Sequence, residues 1–444
     1  MEYSIYVDID IGINMQFFSQ VKLDVESILR KTGLITLVLF SLILFQSKAL
    51  INILGGLALL LSIIYIFLYD RNILRTQRYL LFLVLPFLIG LALSIFSSSG
   101  VLGPLVFIAR FKFMLFVIPF AVFIKSQKEL HWLIGALMAS GFIAVGYGVL
   151  MGQPYGSFSG FHRIGRTADM MIVVSLITFV YLLLSTFNLS IKSILFHSLM
   201  TIAFMLFSWA LLMSEMRGSW LGMIIAYIAL LLVLTRFHRK ASLFSVIMII
   251  FAFAFIYIGN IGEIRSKVDR IYQQAESIVD TKSNASNNAR LHLWKTGWDF
   301  SKNQFLFGTG AKQSKQMFKD FFEAQPNEYQ QKYHLATRYP GDYHNSYLQM
   351  HIEAGAIFTF SFMISIIFLL FVMFKNIKVV PPEKQKYLIA AVIAPVGFLV
   401  AQVFHGELYH YGSAAFYIVL FSGCYTLNRE SPNAWLTISK KHEL

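Results

Sequence analysis

Twelve long apolar runs govern what this chain can fold into, at roughly 32–47, 49–69, 79–97, 101–124, 132–151, 168–186, 191–213, 218–235, 241–259, 345–374, 387–404 and 409–427. A helix needs about 20 apolar residues to cross the hydrocarbon core of a bilayer. In lipid every backbone amide must find its partner inside the protein. Runs of this number and length therefore predict an all-α polytopic membrane protein with about 12 transmembrane helices. Composition agrees: 57% of the 444 residues are hydrophobic and 14% are charged, against about 45–50% and about 25% in soluble domains. Disordered, collagen-like and ordinary cytosolic chains are excluded. The one cysteine, Cys424, lies inside an apolar run, so the chain cannot carry a disulfide framework.

A formal charge of +14 would suit nucleic acid in a soluble protein. In a membrane protein the placement of Lys and Arg matters more, because they accumulate in cytoplasmic loops, and no nucleic-acid partner is expected. Alternate connections hold Arg30 and Lys31; Arg71, Arg75 and Arg78; Lys125 and Lys128; Lys192; Arg236, Arg239 and Lys240; Lys375, Lys378, Lys384 and Lys386; and Arg429, Lys440 and Lys441. The short connections between them hold Lys48, nothing near 97–100, Arg163 with Arg166, and Arg217. This alternation predicts that both ends are cytoplasmic. The expected organisation is a cytoplasmic tail over 1–31, nine spans over 32–259, an outer (periplasmic) loop over 260–344, three spans over 345–427 and a cytoplasmic tail over 428–444. Glu2, Asp8, Asp10, Asp24 and Glu26 do not suit a cleavable signal peptide, so the first span is expected to direct insertion.

The segment 260–344 is too long for a structureless connection. Ile264, Val268, Ile271, Ala275 and Ile278 recur at helical spacing across 263–280. A second helix is expected from Asn288 to Asn303, with Leu291, Trp294 and Trp298 on one face. A third is expected from Ala311 to Glu323, presenting Met317, Phe318, Phe321 and Phe322 to something apolar, with turn-rich breaks at 283–288 and 307–310. Such a cap would shield a site near the outer leaflet.

The charge rule brings several polar residues to one depth: Arg217 between spans seven and eight, Arg290 in the loop, His344 and Asn345 at the start of span ten, and Arg163 and Arg166 before span six. An interfacial arginine is costly unless paired or bound to an anion; the competing reading is a side chain that snorkels to lipid phosphate. Arg217 has only Glu215 nearby in sequence as a partner, which favours function. Arg110 and Lys112 inside the fourth run either face a polar interior or mark a shifted span boundary. A histidine at a helix N-terminus is favoured as the neutral imidazole. His344 is therefore suited to act as a general base, the alternative being a histidine that caps the helix.

Tyr343-His344-Asn345-Ser346-Tyr347-Leu348-Gln349 followed by Glu353-Ala354-Gly355 resembles the signature that opens a late helix in bacterial O-antigen ligases and the related O-antigen polymerases. Arg217-Gly218 after an apolar span, Asn288-Ala289-Arg290 with Trp294 in the loop, and Arg163-x-x-Arg166 before a span with small residues resemble further landmarks of that family. The resemblance implies an integral membrane glycosyltransferase that takes a glycan from undecaprenyl pyrophosphate. In the ligases the acceptor is a sugar hydroxyl of lipid A–core, and the setting is lipopolysaccharide synthesis at the inner membrane. It implies an inverting displacement without metal or other cofactor: His344 as base, Arg217 and Arg290 on the pyrophosphate, with Arg163 or Arg166 assisting. Beside it, Asn345 and Tyr347 are expected as further substrate contacts, and His405 and His410 on the acceptor side of the cavity.

Those residue types suit that chemistry. Pyrophosphate leaves readily, so the demands are a base for the acceptor and positive charge for the leaving group. Arginine gives a fork of donors and stays charged, and one contact near 4 Å is worth about 4 kcal/mol at an effective dielectric of about 20. His405, Glu407 and His410 are the alternative, metal-binding set, but they lack ligand-style spacing. Asp8-Ile9-Asp10 has the spacing of an acidic pair but falls on the cytoplasmic side and reads as a solvated tail. A transporter is the non-enzyme reading; two inverted halves are not visible in the sequence. A polymerase, which extends carrier-linked glycan, shares the motifs, and the ligase is preferred on the Arg217, Arg290 and His344 landmarks.

Overall fold

The computed structural model describes residues 24–97, 100–151, 158, 160–162, 164–247, 285–311, 313–333 and 342–435. The expected loop helix 263–280, Arg163, and most of both tails lie outside the described residues. The protein is an all-α polytopic membrane protein. Among the described residues, nine helices are long and apolar enough to cross a bilayer.

In chain order the helices are α1 (24–42), α2 (Lys48–Leu68), α3 (Tyr79–Phe96), α4 (Gly103–Phe123), α5 (Gln127–Leu150), α6 (Ile164–Leu184), α7 (Ile191–Met213), α8 (Arg217–Phe237), α9 (from 239), α10 (Ala285–Asn303), α11 (Gln313–Glu323), α12 (Asn327–Lys332), α13 (Ser346–Lys375), α14 (Pro382–Ala401) and α15 (Ser413–Glu430). Eleven of the expected spans coincide with described helices, and the ninth, 241–259, lies outside the described residues beyond 247. The first begins earlier than expected, at or before 24, and the last runs from Ser413 to Glu430 rather than 409–427.

The helices sort by burial. α6 and α14 are mostly enclosed by protein, whereas α2 and α7 bury only about a quarter of their windows. α15 is buried continuously from Ser413 to Leu427. The inner helices can therefore carry polar side chains, while the outer ones present Leu, Ile and Phe to lipid. Small residues let the inner helices approach: a side chain on Gly222 of α8 would begin 2.4 Å from the Gly397 carbonyl of α14, as membrane helix packing favours.

The basic connections lie together at one end of the bundle, opposite the starts of α6, α8 and α13. There Lys384 pairs with Glu430 (2.7 Å), Lys125 with Asp70 (3.6 Å), and Arg30 with Glu129.

α13 is broken inside its length. Gly355 has φ +80°, which only glycine adopts freely, and a side chain there would begin 2.2 Å from the Leu306 carbonyl. The groups freed by the break are met by the segment after α10: Ala356 N–H donates to the Phe305 carbonyl (2.8 Å), and Thr309 N–H to the Ile352 carbonyl (2.7 Å). The loop domain is thus stapled into the helix bundle by backbone bonds. α11 starts at Gln313, not Ala311, and Phe318 and Phe322 face inward. With Leu293, Tyr343 and Ile352 they form a small core between the loop and the start of α13.

Candidate active site

The site lies where the first turns of α6, α8 and α13 meet the connection 402–412 and α10. Ser346 and Gln402 tie this region together. Ser346 N–H donates to the Gln402 carbonyl (2.9 Å), its Oγ lies 3.0 Å from Gln402 Oε1, and Glu407 N–H donates to that same Oε1 (2.9 Å). Asn345 caps α13, its Oδ1 accepting from the Tyr347 and Leu348 amides (both 3.0 Å), and Tyr347 OH donates to the Leu399 carbonyl (2.6 Å). Of these two expected substrate contacts, Asn345 therefore caps α13 and Tyr347 ties its start to α14.

α10 is fixed by Trp294, whose indole N–H donates to the Tyr343 carbonyl (2.9 Å), and by Gly297, where a side chain would begin 2.7 Å from the Tyr343 ring. This places Arg290, one turn before Trp294, beside both Arg217 and His344. Burial and the Arg217 guanidinium press Arg290 below its ordinary value, yet a guanidinium stays charged. Among the described residues, neither arginine makes a hydrogen bond or an ion pair. Arg217 also opens α8, whose N-cap Met216 offers no side-chain acceptor. The free amides and positive dipole end of such a helix attract anions.

His344 is partly buried, its side chain 31% exposed. Burial, then the Arg290 and His405 charges, lower its pKa against the raising effect of Asp342, so the ring is held neutral. Asp342 Oδ1 accepts from the His344 amide (3.0 Å) and lies 3.9 Å from Nδ1. Among the described residues, the non-glycine positions with positive φ are Glu215 (56°) and His344 (49°). Both flank the site, and such backbone is kept where surrounding structure enforces it.

Two other arginines have acidic partners. Arg166 donates from Nε and Nη2 to both Glu407 oxygens (2.5 and 3.0 Å) and also bonds Tyr411. Arg110 donates to both Glu353 oxygens (2.8 and 3.1 Å) and lies 4.1 Å over the Tyr409 ring. Ser314 and Gln349 also donate to Glu353 (3.1 and 2.7 Å). Of the possible metal set, Glu407 is on Arg166 and His405 is on Asp169, while His410 sits beside the Tyr409 ring. Sequence reasoning passed over Asp169, Asp342 and Tyr411. The available signal for Asp169 was an acid inside an apolar span.

Residues 202–363, from α7 into α13, match the model of the O-antigen ligase family. The match, over about a third of the chain, supports a place in the superfamily of O-antigen ligases and polymerases. The matched stretch contains Arg217, Arg290 and His344. It supports enzymatic activity of the O-antigen ligase type in general terms, acting on a carrier-linked glycan and a lipid acceptor. No curated protein matches the sequence.

Proposed function

We propose that the chain is an O-antigen ligase of the inner membrane, which transfers a glycan from undecaprenyl pyrophosphate to a sugar hydroxyl of lipid A–core. The observation that carries this reading is the placement of Arg290 beside Arg217 at the uncapped start of α8, with no acidic partner for either among the described residues. Two adjacent guanidinium groups in a partly buried site repel one another unless an anion joins them. A diphosphate supplies two charges and several acceptor oxygens at the spacing of paired forks.

In the mechanism that follows, the acceptor hydroxyl attacks the anomeric carbon while His344 takes its proton. The bond between that carbon and the diphosphate oxygen breaks, and the electron pair leaves with the diphosphate. The two arginines and the α8 amides stabilise the charge gained by the leaving group. Attack opposite the leaving group inverts the anomeric centre. The clustering of basic residues at the far end of the bundle supports a periplasmic position for the site, with the loop domain over it.

The test is transfer by the purified protein from a polyprenyl-diphosphate glycan, with lipid A–core and a second carrier-linked glycan offered as competing acceptors. A glycosylated lipid A–core product is expected, and a lengthened carrier-linked chain would make the protein a polymerase instead. His344→Ala is expected to insert normally and lose transfer, which favours an enzyme over a transporter; wild-type transfer in that variant would remove His344 from the mechanism.

A further inference from the structure

Next to the arginine pair lies a buried polar cluster that this mechanism leaves unused. Asp169 in α6 is fully buried. It accepts hydrogen bonds from Ser219 Oγ (2.7 Å), Gln402 Nε2 (2.9 Å) and His405 Nδ1 (2.8 Å). A carboxylate withdrawn from water needs such donors, and here they come from α8, the end of α14 and the connection after it. Bonding Nδ1–H to a carboxylate fixes both the tautomer and the plane of a histidine ring. The other ring nitrogen, Nε2, bonds no protein atom among the described residues. It lies 3.1 Å from where a side chain on Gly218 would begin, against the first turn of α8 and beside Arg217. That approach explains the glycine: any larger residue would push on Phe404 (2.7 Å) and His405 together.

One helical turn thus presents Arg217, and its free amides lie beside a ring whose outward atom is unclaimed. We propose that His405 is a third donor of the diphosphate cradle, directing Nε2–H at a phosphate oxygen, and that Asp169 is the positioning residue behind it. With a carboxylate on Nδ1 and a phosphate on Nε2, both ring nitrogens donate. This assignment rests on the diphosphate reading above, and it takes His405 away from the acceptor.

The experiment uses the full-length protein in detergent, with geranyl diphosphate as a competitive probe against the polyprenyl-diphosphate donor. His405→Asn retains a donor to Asp169 but withdraws the outward one, whereas His405→Gln reaches close to the position of Nε2. His405→Asn is expected to weaken inhibition by about tenfold to a hundredfold, with His405→Gln recovering most of it and the acceptor KM unchanged in both. Wild-type inhibition in His405→Asn, or a raised acceptor KM with unaltered inhibition, overturns the proposal. Where thermal unfolding shows that the His405 variants do not fold, Ser219→Ala replaces them: loss of one Asp169 donor weakens the probe by a fewfold, and no change overturns the proposal. Arg217→Ala in the same assay separates the two levels. Undiminished inhibition there removes the diphosphate reading, whereas lost inhibition there with His405→Asn intact removes only the role of His405.

Discussion

Two pairs of arginines sit at the same end of the bundle in opposite electrostatic states. On the α4–α6 side, Arg110 and Arg166 are each held by both oxygens of a carboxylate, Glu353 and Glu407. On the α8–α10 side, Arg290 feels the like charge of Arg217, and neither side chain makes a hydrogen bond or ion pair among the described residues. A neutralised buried arginine is part of the frame: it ties helices together and has no charge left to offer. An arginine whose main neighbour is another arginine is held in place by the fold at a cost that an incoming anion would relieve. The residue type is the same in both regions, and the partner decides its use.

The sharpest way to break this comparison is to remove one arginine from each region. Arg217→Ala or Arg290→Ala is expected to lower kcat/KM for transfer by about a hundredfold to a thousandfold, with the thermal unfolding midpoint unchanged or raised. Arg217→Lys keeps the charge but loses the fork and should remain poorly active; activity within about twofold of wild type would count against clamping by that residue. In the other region the effect moves to stability. Glu353→Ala strands Arg110 and is expected to cost about 3–5 kcal/mol in unfolding free energy, read by denaturation in detergent. A Glu353→Ala protein as stable as wild type would show that the Arg110 pair is not part of the frame.

Which region an arginine belongs to was not legible in the sequence, and the reason is chain separation. Arg110 and Glu353 are 243 residues apart, Arg166 and Glu407 are 241, and His405 and Asp169 are 236. Local spacing says nothing about such partners, so depth and the family landmark group Arg166 with Arg217 and Arg290, and Arg110 stays between two readings. Features set by nearest neighbours were legible: the apolar runs, because each helix in lipid must satisfy its own backbone, and α10 with Trp294 on its inner face. The phenylalanines of α11 were legible as an apolar face but not as the core of the loop domain, since Leu293, Tyr343 and Ile352 come from elsewhere. The break at Gly355 was equally hidden, because an unbroken apolar run gives no sign that a loop carbonyl will lie against it.

A smaller effect bears on the base. Burial, Arg290 and His405 lower the His344 pKa, and Asp342 opposes them. The neutral ring is the acting form, so lowering the pKa keeps it available in more acid solution. The acid limb of kcat/KM should therefore fall below the ordinary histidine value of about 6.5. Asp342→Asn removes the opposing carboxylate and should move that limb to still lower pH; a limb that stays in place would mean that Asp342 does not act on the ring electrostatically.

The smallest expected effect is none. If Arg217, Arg290 and the start of α8 supply the positive charge, transfer should persist within about twofold after EDTA treatment. The residues that would otherwise compete for a metal are already engaged: Glu407 has both oxygens on Arg166, and His405 has Nδ1 on Asp169. Recruiting them would mean breaking a bidentate ion pair and stranding a buried carboxylate, each costing about as much as breaking a buried charge pair. Loss of transfer on chelation, restored by a divalent ion, would show that this cost is met and that the frame is not separate from the site. Repeating the chelation in Arg217→Ala distinguishes the sources of charge, since a metal that substitutes for the arginine would make the residual activity of that variant sensitive to EDTA while the parent stays insensitive.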